Sequence, residues 1–153
     1  MKYFDWFLVL VFIGLLIFLA LGRRGNIAAN IGSTKYLALG DTKISVELAI
    51  NNEAKAKGLS GRETLREETG MLFIFDYPSI HPFWMKDMNF PIDMIWIDEN
   101  GIIVYIEPSA KPESFPGLFG SNIESKYVLE VVAGFSEKHQ LKIGDRVTFL
   151  DSN

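Results

Sequence analysis

Met94-Ile95-Trp96-Ile97-Asp98-Glu99-Asn100-Gly101-Ile102-Ile103-Val104-Tyr105-Ile106 decides the fold. Two apolar runs rich in β-branched and aromatic residues flank an Asn-Gly pair, the strongest short-range signal for a tight antiparallel hairpin. Upstream, Met71–Phe75 is a continuous apolar run bracketed by Gly70 and Asp76-Tyr77-Pro78, which predicts a strand buried on both faces. Lys43–Ile50 alternates polar and apolar residues, so Ile44, Val46, Leu48 and Ile50 share one predicted buried face. Downstream, Tyr127–Ala133 reads as a strand, and Arg146–Leu150 as the last one after a turn at Ile143-Gly144-Asp145. Asn51-Asn52 can cap a short helix over Glu53–Lys57 that Gly58 ends, and Glu63–Glu68 offers one more turn. Residues 107–124, with three prolines and two glycines, read as a long loop. Six or seven strands against one or two short helices predict a mainly β fold. The expected form is a compact antiparallel β-sandwich or barrel, its strands joined by hairpins rather than helical crossovers.

The N-terminus differs in kind. Trp6–Gly22 is a run of 17 uncharged, mostly bulky apolar residues between Asp5 and Arg23-Arg24. As a helix it is about 25 Å long, at the short end of what spans a bilayer core. Tyr3, Phe4 and Trp6 suit one membrane interface, and the arginine pair can snorkel at the other. The run exceeds an ordinary signal core, and Ile27-Ala28-Ala29 has no small residue three places before a cut after Ala29, so a retained anchor is favoured over a cleaved signal. The predicted organisation is a transmembrane anchor at residues 1–24, a linker at 25–34 and a β-rich domain at 35–153. The lipid bilayer, met through residues 6–22, is the one partner this reading supplies.

Composition removes several function classes. The chain has no cysteine, hence no disulfide, thiolate metal site or cysteine nucleophile. With Lys2, Arg23, Arg24 and Asp5 set aside, 12 basic and 18 acidic residues remain in 25–153, a net charge of −6 and a poor footprint for nucleic acid. No Gly-x-Ser-x-Gly, Gly-rich phosphate loop or EF-hand loop occurs. His81 and His139 are the only histidines, too few for a zinc site, so neither metal nor cofactor is expected.

Candidate binding residues gather in and around His81-Pro82-Phe83-Trp84-Met85-Lys86-Asp87. If this segment is extended, Trp84 and Lys86 face one way and Phe83, Met85 and Asp87 the other. Lys86 would then lie beside an indole, able to meet an anion; the competing reading has Trp84 filling the core and Lys86 snorkelling to water. Glu130 shares a strand face with Val128 and Val132, and a carboxylate on an apolar face needs a partner, for which Arg62 and Lys86 are the candidates. It serves either as half of a buried ion pair that fixes register or as an acid or base with a raised pKa. Asp93 caps a turn or points into a pocket with Asp87. The ligand-binding candidates are therefore Arg62, Trp84, Lys86, Asp93 and Glu130, with His81 and Asp87 as weaker ones.

Gly58-Leu59-Ser60-Gly61-Arg62, Gly70-Met71-Leu72-Phe73, Phe83-Trp84-Met85-Lys86, Pro91-Ile92-Asp93, Val128-Leu129-Glu130, Gly134 and Gly144-Asp145 resemble, in order and spacing, the family called domain of unknown function 192. The resemblance spans about residues 36–150. It implies a compact β-rich fold, often exported or membrane-tethered in prokaryotes, and no established activity. Ser60 stands where the family commonly has Met, and Asp87-Met88 where it has Asn-Thr, so Lys86 transfers better than its two successors. The arginine pair after the apolar run favours a cytoplasmic domain; the family's export habit favours the opposite side, and an extracytoplasmic domain on a single-pass membrane protein is the expectation. Three functions compete: binding of a small polar or anionic ligand of the cell envelope, docking of a membrane or envelope partner through Phe115–Phe119, and acid-base hydrolase or lyase chemistry through Glu130 or His81.

Overall fold

The computed structural model describes residues 34–151. The expected anchor and all of the linker but Thr34 lie outside them, and among the described residues no helix is long and apolar enough to cross a membrane. Seven strands form one sheet in the order β5-β4-β6-β3-β2-β1-β7. They are β1 (Thr34–Leu39), β2 (Thr42–Ala49), β3 (Thr69–Ile80), β4 (Ile92–Ile97), β5 (Ile103–Ala110), β6 (Glu124–Val132) and β7 (Val147–Asp151). Helix α1 (Asn52–Lys57) links β2 to β3, and α2 (Phe135–Lys138) follows β6.

The β4–β5 hairpin forms where Asn-Gly placed it: Gly101 takes φ 77°, and the Asp98 carboxylate accepts from the backbone N–H groups of Asn100 and Ile102 at 2.8 Å each. Gly101 is also a point of closest approach. A Cβ there would lie 2.8 Å from the Val147 carbonyl oxygen, because edge strands β5 and β7 meet at this end through Ile103 N–H to Asp145 C=O at 2.9 Å and Val147 N–H to Gly101 C=O at 2.8 Å. The sheet therefore curls until its two edges touch. It is a half-barrel rather than a sandwich of two sheets, and the contact protects edges that would otherwise be open to another chain.

One expectation fails at β2. Its pairing with β3 is parallel, and the connection runs through α1, as a parallel pair requires; all other neighbours are antiparallel. The α1 caps are as read: the Asn51 side chain accepts from Ala54 N–H at 2.8 Å and Gly58 ends the helix. The alternation in β2 holds through Val46 and then shifts, so that Ala49 is buried while Ile50 is 49% exposed. The predicted loop over 107–124 shrinks to Lys111–Ile123, with a 3-10 turn at Pro112–Ser114, because β5 is an edge strand and can carry Pro108. Pro78 likewise fits inside β3 at the register shift between Ile74 and Ser79.

Register sorts side chains onto two faces. Leu48, Leu72, Leu129 and Ile95 form one cross-strand row, and on that face Tyr127 of β6 meets Phe149 of β7 at 4.9 Å between centroids, across the inside of the curl. The other face carries the row Glu47, Met71, Glu130, Met94 and Glu107, and beside it Ala49, Phe73, Val128, Trp96 and Tyr105. This outer face is covered by α1 and the segment between β3 and β4, which makes a second core around Leu59, Met85 and Met88. Each fully buried Leu, Ile or Met in these layers contributes about 1.5–3 kcal/mol.

Candidate functional site

The β3–β4 segment is an ordered strap. Phe83 and Phe119 exchange backbone hydrogen bonds at 3.0 and 2.8 Å, the Trp96 indole N–H donates to the His81 carbonyl at 3.0 Å, the Ser60 hydroxyl to the Lys86 carbonyl at 2.8 Å, and Gly61 N–H to the Asp87 carbonyl at 2.8 Å. Alternation along the strap is as expected through Lys86, with Phe83 half-buried and Met85 buried. The competing reading, in which Trp84 fills the core, fails. Trp84 is 50% exposed and Lys86 points to solvent, whereas the indole in the core is Trp96, fully buried in β4.

Between the strap, α1 and the outer face of β3 and β6 lies a cleft of about 290 Å³. Its walls are aromatic. Phe83 meets Phe73 edge-on at 4.8 Å, His81 stacks on Phe75 at 3.5 Å with 7° between planes, and the Lys55 ammonium sits 4.8 Å from the Phe75 centroid. Lys55, Lys57 and Ser60 contribute polar lining from α1 and the turn after it, and Trp84 stands at the side. Glu130 also lines the cleft. It is 5% exposed, and its Oε2 accepts no hydrogen bond from the described residues. Burial pushes its carboxyl up to about 8, against the pull of the Arg62 charge. Gly58 makes room above it: a Cβ at 58 would lie 3.2 Å from the Phe73 ring and 3.7 Å from Glu130 Oε2.

His81 has a buried Nε2 that likewise finds no partner. Burial holds the imidazole below its usual value; a hydrogen bond to the Tyr77 backbone opposes that shift, and the Lys55 charge reinforces it. At neutral pH the ring is therefore uncharged. An uncharged imidazole offers either an N–H or a lone pair at Nε2, according to its tautomer.

Of the seven candidates, the cleft brings together three: Glu130, His81 and Trp84. Arg62 is not the partner of Glu130. It pairs bidentately with Glu47 at 2.6 and 2.7 Å near the surface, two strands over from Glu130, and lies outside the cleft lining. Lys86 and Asp87 are exposed and also outside it; Asp87 is in the left-handed region at φ 55°. Asp93 is fully buried on the opposite face of the sheet, where its carboxylate accepts from Ser109, Gly134 and Ser136 N–H at 2.8, 3.0 and 2.8 Å. Sequence reasoning missed Lys55, Phe73 and Phe75 as site residues. Phe73 and Phe75 looked like ordinary core alternates, and only the register of β3 against β6 turns them toward Glu130.

Solved structures share this architecture. One from Sinorhizobium meliloti 1021, provisionally described as a transcription regulator, superposes with a TM-score of 0.69 at 31% identity, over 74% of this chain and 90% of the other. A protein of unknown function from Novosphingobium aromaticivorans DSM 12444 gives a TM-score of 0.70 at 27% identity, over 74% and 84%. No curated protein matches the chain. Residues 36–149 match the family model DUF192, described as an uncharacterised ACR, in agreement with the resemblance carried by the Gly58–Arg62, Phe83–Lys86 and Val128–Glu130 blocks, and the chain belongs to that family.

Proposed function

We propose that the domain is a binding module whose cleft takes a small polar ligand, with an apolar body against Phe73 and Phe83 and a polar group at Glu130. The observation that supports this reading is the buried, unpartnered Glu130 carboxyl lining an aromatic cleft. An unsatisfied buried carboxyl is costly, typically about 1–3 kcal/mol or more, and a bound ligand that completes its hydrogen bonds would offset that cost. The volume suits a small molecule, at the lower end of the ~300–1,000 Å³ typical of ligand pockets. For the anionic version of the ligand, Arg62 and Lys86 stand outside the cleft and only Lys55 and Lys57 of α1 remain to meet it, while the deepest polar group is the Glu130 carboxyl.

A fragment screen by ligand-observed NMR against the full chain in detergent tests the module. Hits are expected to be lost in Ala56→Trp, an exposed α1 position at the cleft where an indole blocks entry. Hits indifferent to that substitution, or none, would reject it.

The apolar run at 6–22 supports tethering this module to a membrane, with the domain outside the cytoplasm. Reporter fusions at the C-terminus discriminate: activity of a cytoplasm-only reporter counts against an envelope ligand. Regulation of transcription, the description attached to the S. meliloti relative, draws little support from a net charge of −6 over residues 25–153. Acid-base catalysis by His81 with Glu130 is also less supported, since Asp93 lies on the opposite face of the sheet and no hydrogen bond joins His81 Nε2 or Glu130 Oε2 to a partner among the described residues.

Docking of a protein partner is a second reading, favoured by one observation. Trp84, Phe115 and Leu118 are 50%, 44% and 54% exposed, and the first two rings touch edge-on at 6.1 Å. Photocrosslinking from position 118 of the full chain in cells tests it: one discrete adduct supports docking, and none removes it.

A further inference from the structure

Resting on the small-ligand reading, we infer that the group received at Glu130 is a cationic nitrogen, the ammonium of a small amine with an apolar or aromatic body. Three features of the cleft converge on that chemistry. The inner polar atoms that lack a partner among the described residues are Glu130 Oε2 and His81 Nε2, and an ammonium can donate to the carboxylate oxygen and, in one tautomer, to the imidazole nitrogen. The walls include the rings of Phe73, Phe75 and Phe83, whose faces, though not their edges, attract a cation. The protein already demonstrates the preference, since the Lys55 ammonium rests 4.8 Å from the Phe75 centroid.

A carboxylate ligand could pair with Lys55 or Lys57 on the α1 side, but at Glu130 it would bring an acceptor to an acid oxygen. It could be held at Glu130 only by the proton that carboxyl carries, whereas an ammonium displaces that proton and forms a charge-assisted bond with a carboxylate that is itself only 5% exposed. The charges facing Glu130 are few. Arg62 acts on it from outside the cleft and is tied to Glu47, Lys55 and Lys57 line the cleft from α1, and His81 faces it uncharged from the strap. Lys55 and Lys57 oppose entry of a cation and thereby provide a control of opposite sign.

The matched probes are 2-phenylethylamine, 2-phenylethanol and phenylacetate, titrated calorimetrically against the full chain in detergent. The amine is expected to bind most tightly, and Glu130→Gln to weaken it about tenfold or more. Its affinity should climb about tenfold per pH unit up to the carboxyl's value of about 8 and flatten above it, because the carboxyl must release its proton. Lys57→Ala should strengthen the amine and weaken phenylacetate. Amine affinity unchanged by Glu130→Gln, with the variant's melting temperature confirming a folded chain, overturns the inference. Tighter binding of phenylacetate or the alcohol, lost in Ala56→Trp, overturns it too but leaves the small-ligand reading standing. Absence of binding by all three probes removes both.

Discussion

Two carboxyl groups sit one register position apart on neighbouring strands, Asp93 opposite Val131 and Glu130 opposite Met94, and the pleat sends them to opposite faces of one sheet. On one face Asp93 is fully buried and satisfied by three backbone N–H groups, which tie the ends of β5 and β6 and the start of α2 together. On the other Glu130 is almost as deeply buried, and its Oε2 has no partner among the described residues. The two environments are equally dry, so burial alone does not separate structure from function. What separates them is whether the fold itself supplies the hydrogen bonds.

The largest effect should come from deleting the satisfied group. Asp93→Ala leaves three N–H donors, one buried and two part-buried, without their acceptor, and at about 1–3 kcal/mol for each the loss should reach about 4 kcal/mol or prevent folding. Chemical denaturation of the purified full chain measures it. If Asp93 costs less than 1 kcal/mol, the contrast with Glu130 collapses.

Glu130→Gln should do the reverse and stabilise. The folded-state value of about 8 lies above the unfolded value near 4.5, so between those pH values the folded chain holds a proton that the unfolded chain has released. Stability then falls with rising pH by about 1.4 kcal/mol per unit across that window, is fully retained below it and levels off above it. Removing the titration should flatten the curve and raise stability at pH 7 by about 3 kcal/mol. Melting temperatures of both proteins from pH 4 to 9 decide the matter, and parallel curves would sink the assignment.

Much of this contrast was legible in the residues, but not its sides. Glu130 stood out because Val128 and Val132 share its strand face, and that parity is what the sheet shows. The β4–β5 hairpin and the capped α1 were equally legible, since Asn-Gly and Asn51…Gly58 act over a few residues. Asp93 looked the same as Glu130 in sequence, because its three N–H donors come from residues 16, 41 and 43 positions away. The parallel β2–β3 pair was missed for a related reason: a crossover carried by the six residues of α1 and an irregular tail leaves no long helical period to read. Whether Trp84 fills the core or stands at the surface stayed open in the sequence because alternation tells which side chains share a face and never which face is wet.

Arg62 provides the smallest and sharpest probe of the comparison. Its bidentate contact with Glu47 is partly exposed, and pairs of that kind are worth about 0.2–1 kcal/mol, so Arg62→Met should cost no more than that at pH 7. Yet the Arg62 charge is what draws the Glu130 carboxyl downward against burial. Removing it should therefore lift the upper end of the pH-dependent loss of stability further above pH 8 while changing the neutral-pH melting temperature little. Lys86→Met, in contrast, removes an exposed ammonium outside the cleft and should move neither quantity. If the two substitutions prove indistinguishable across the pH series, Arg62 does not act on Glu130 through space, and the carboxyl's value is set by burial alone.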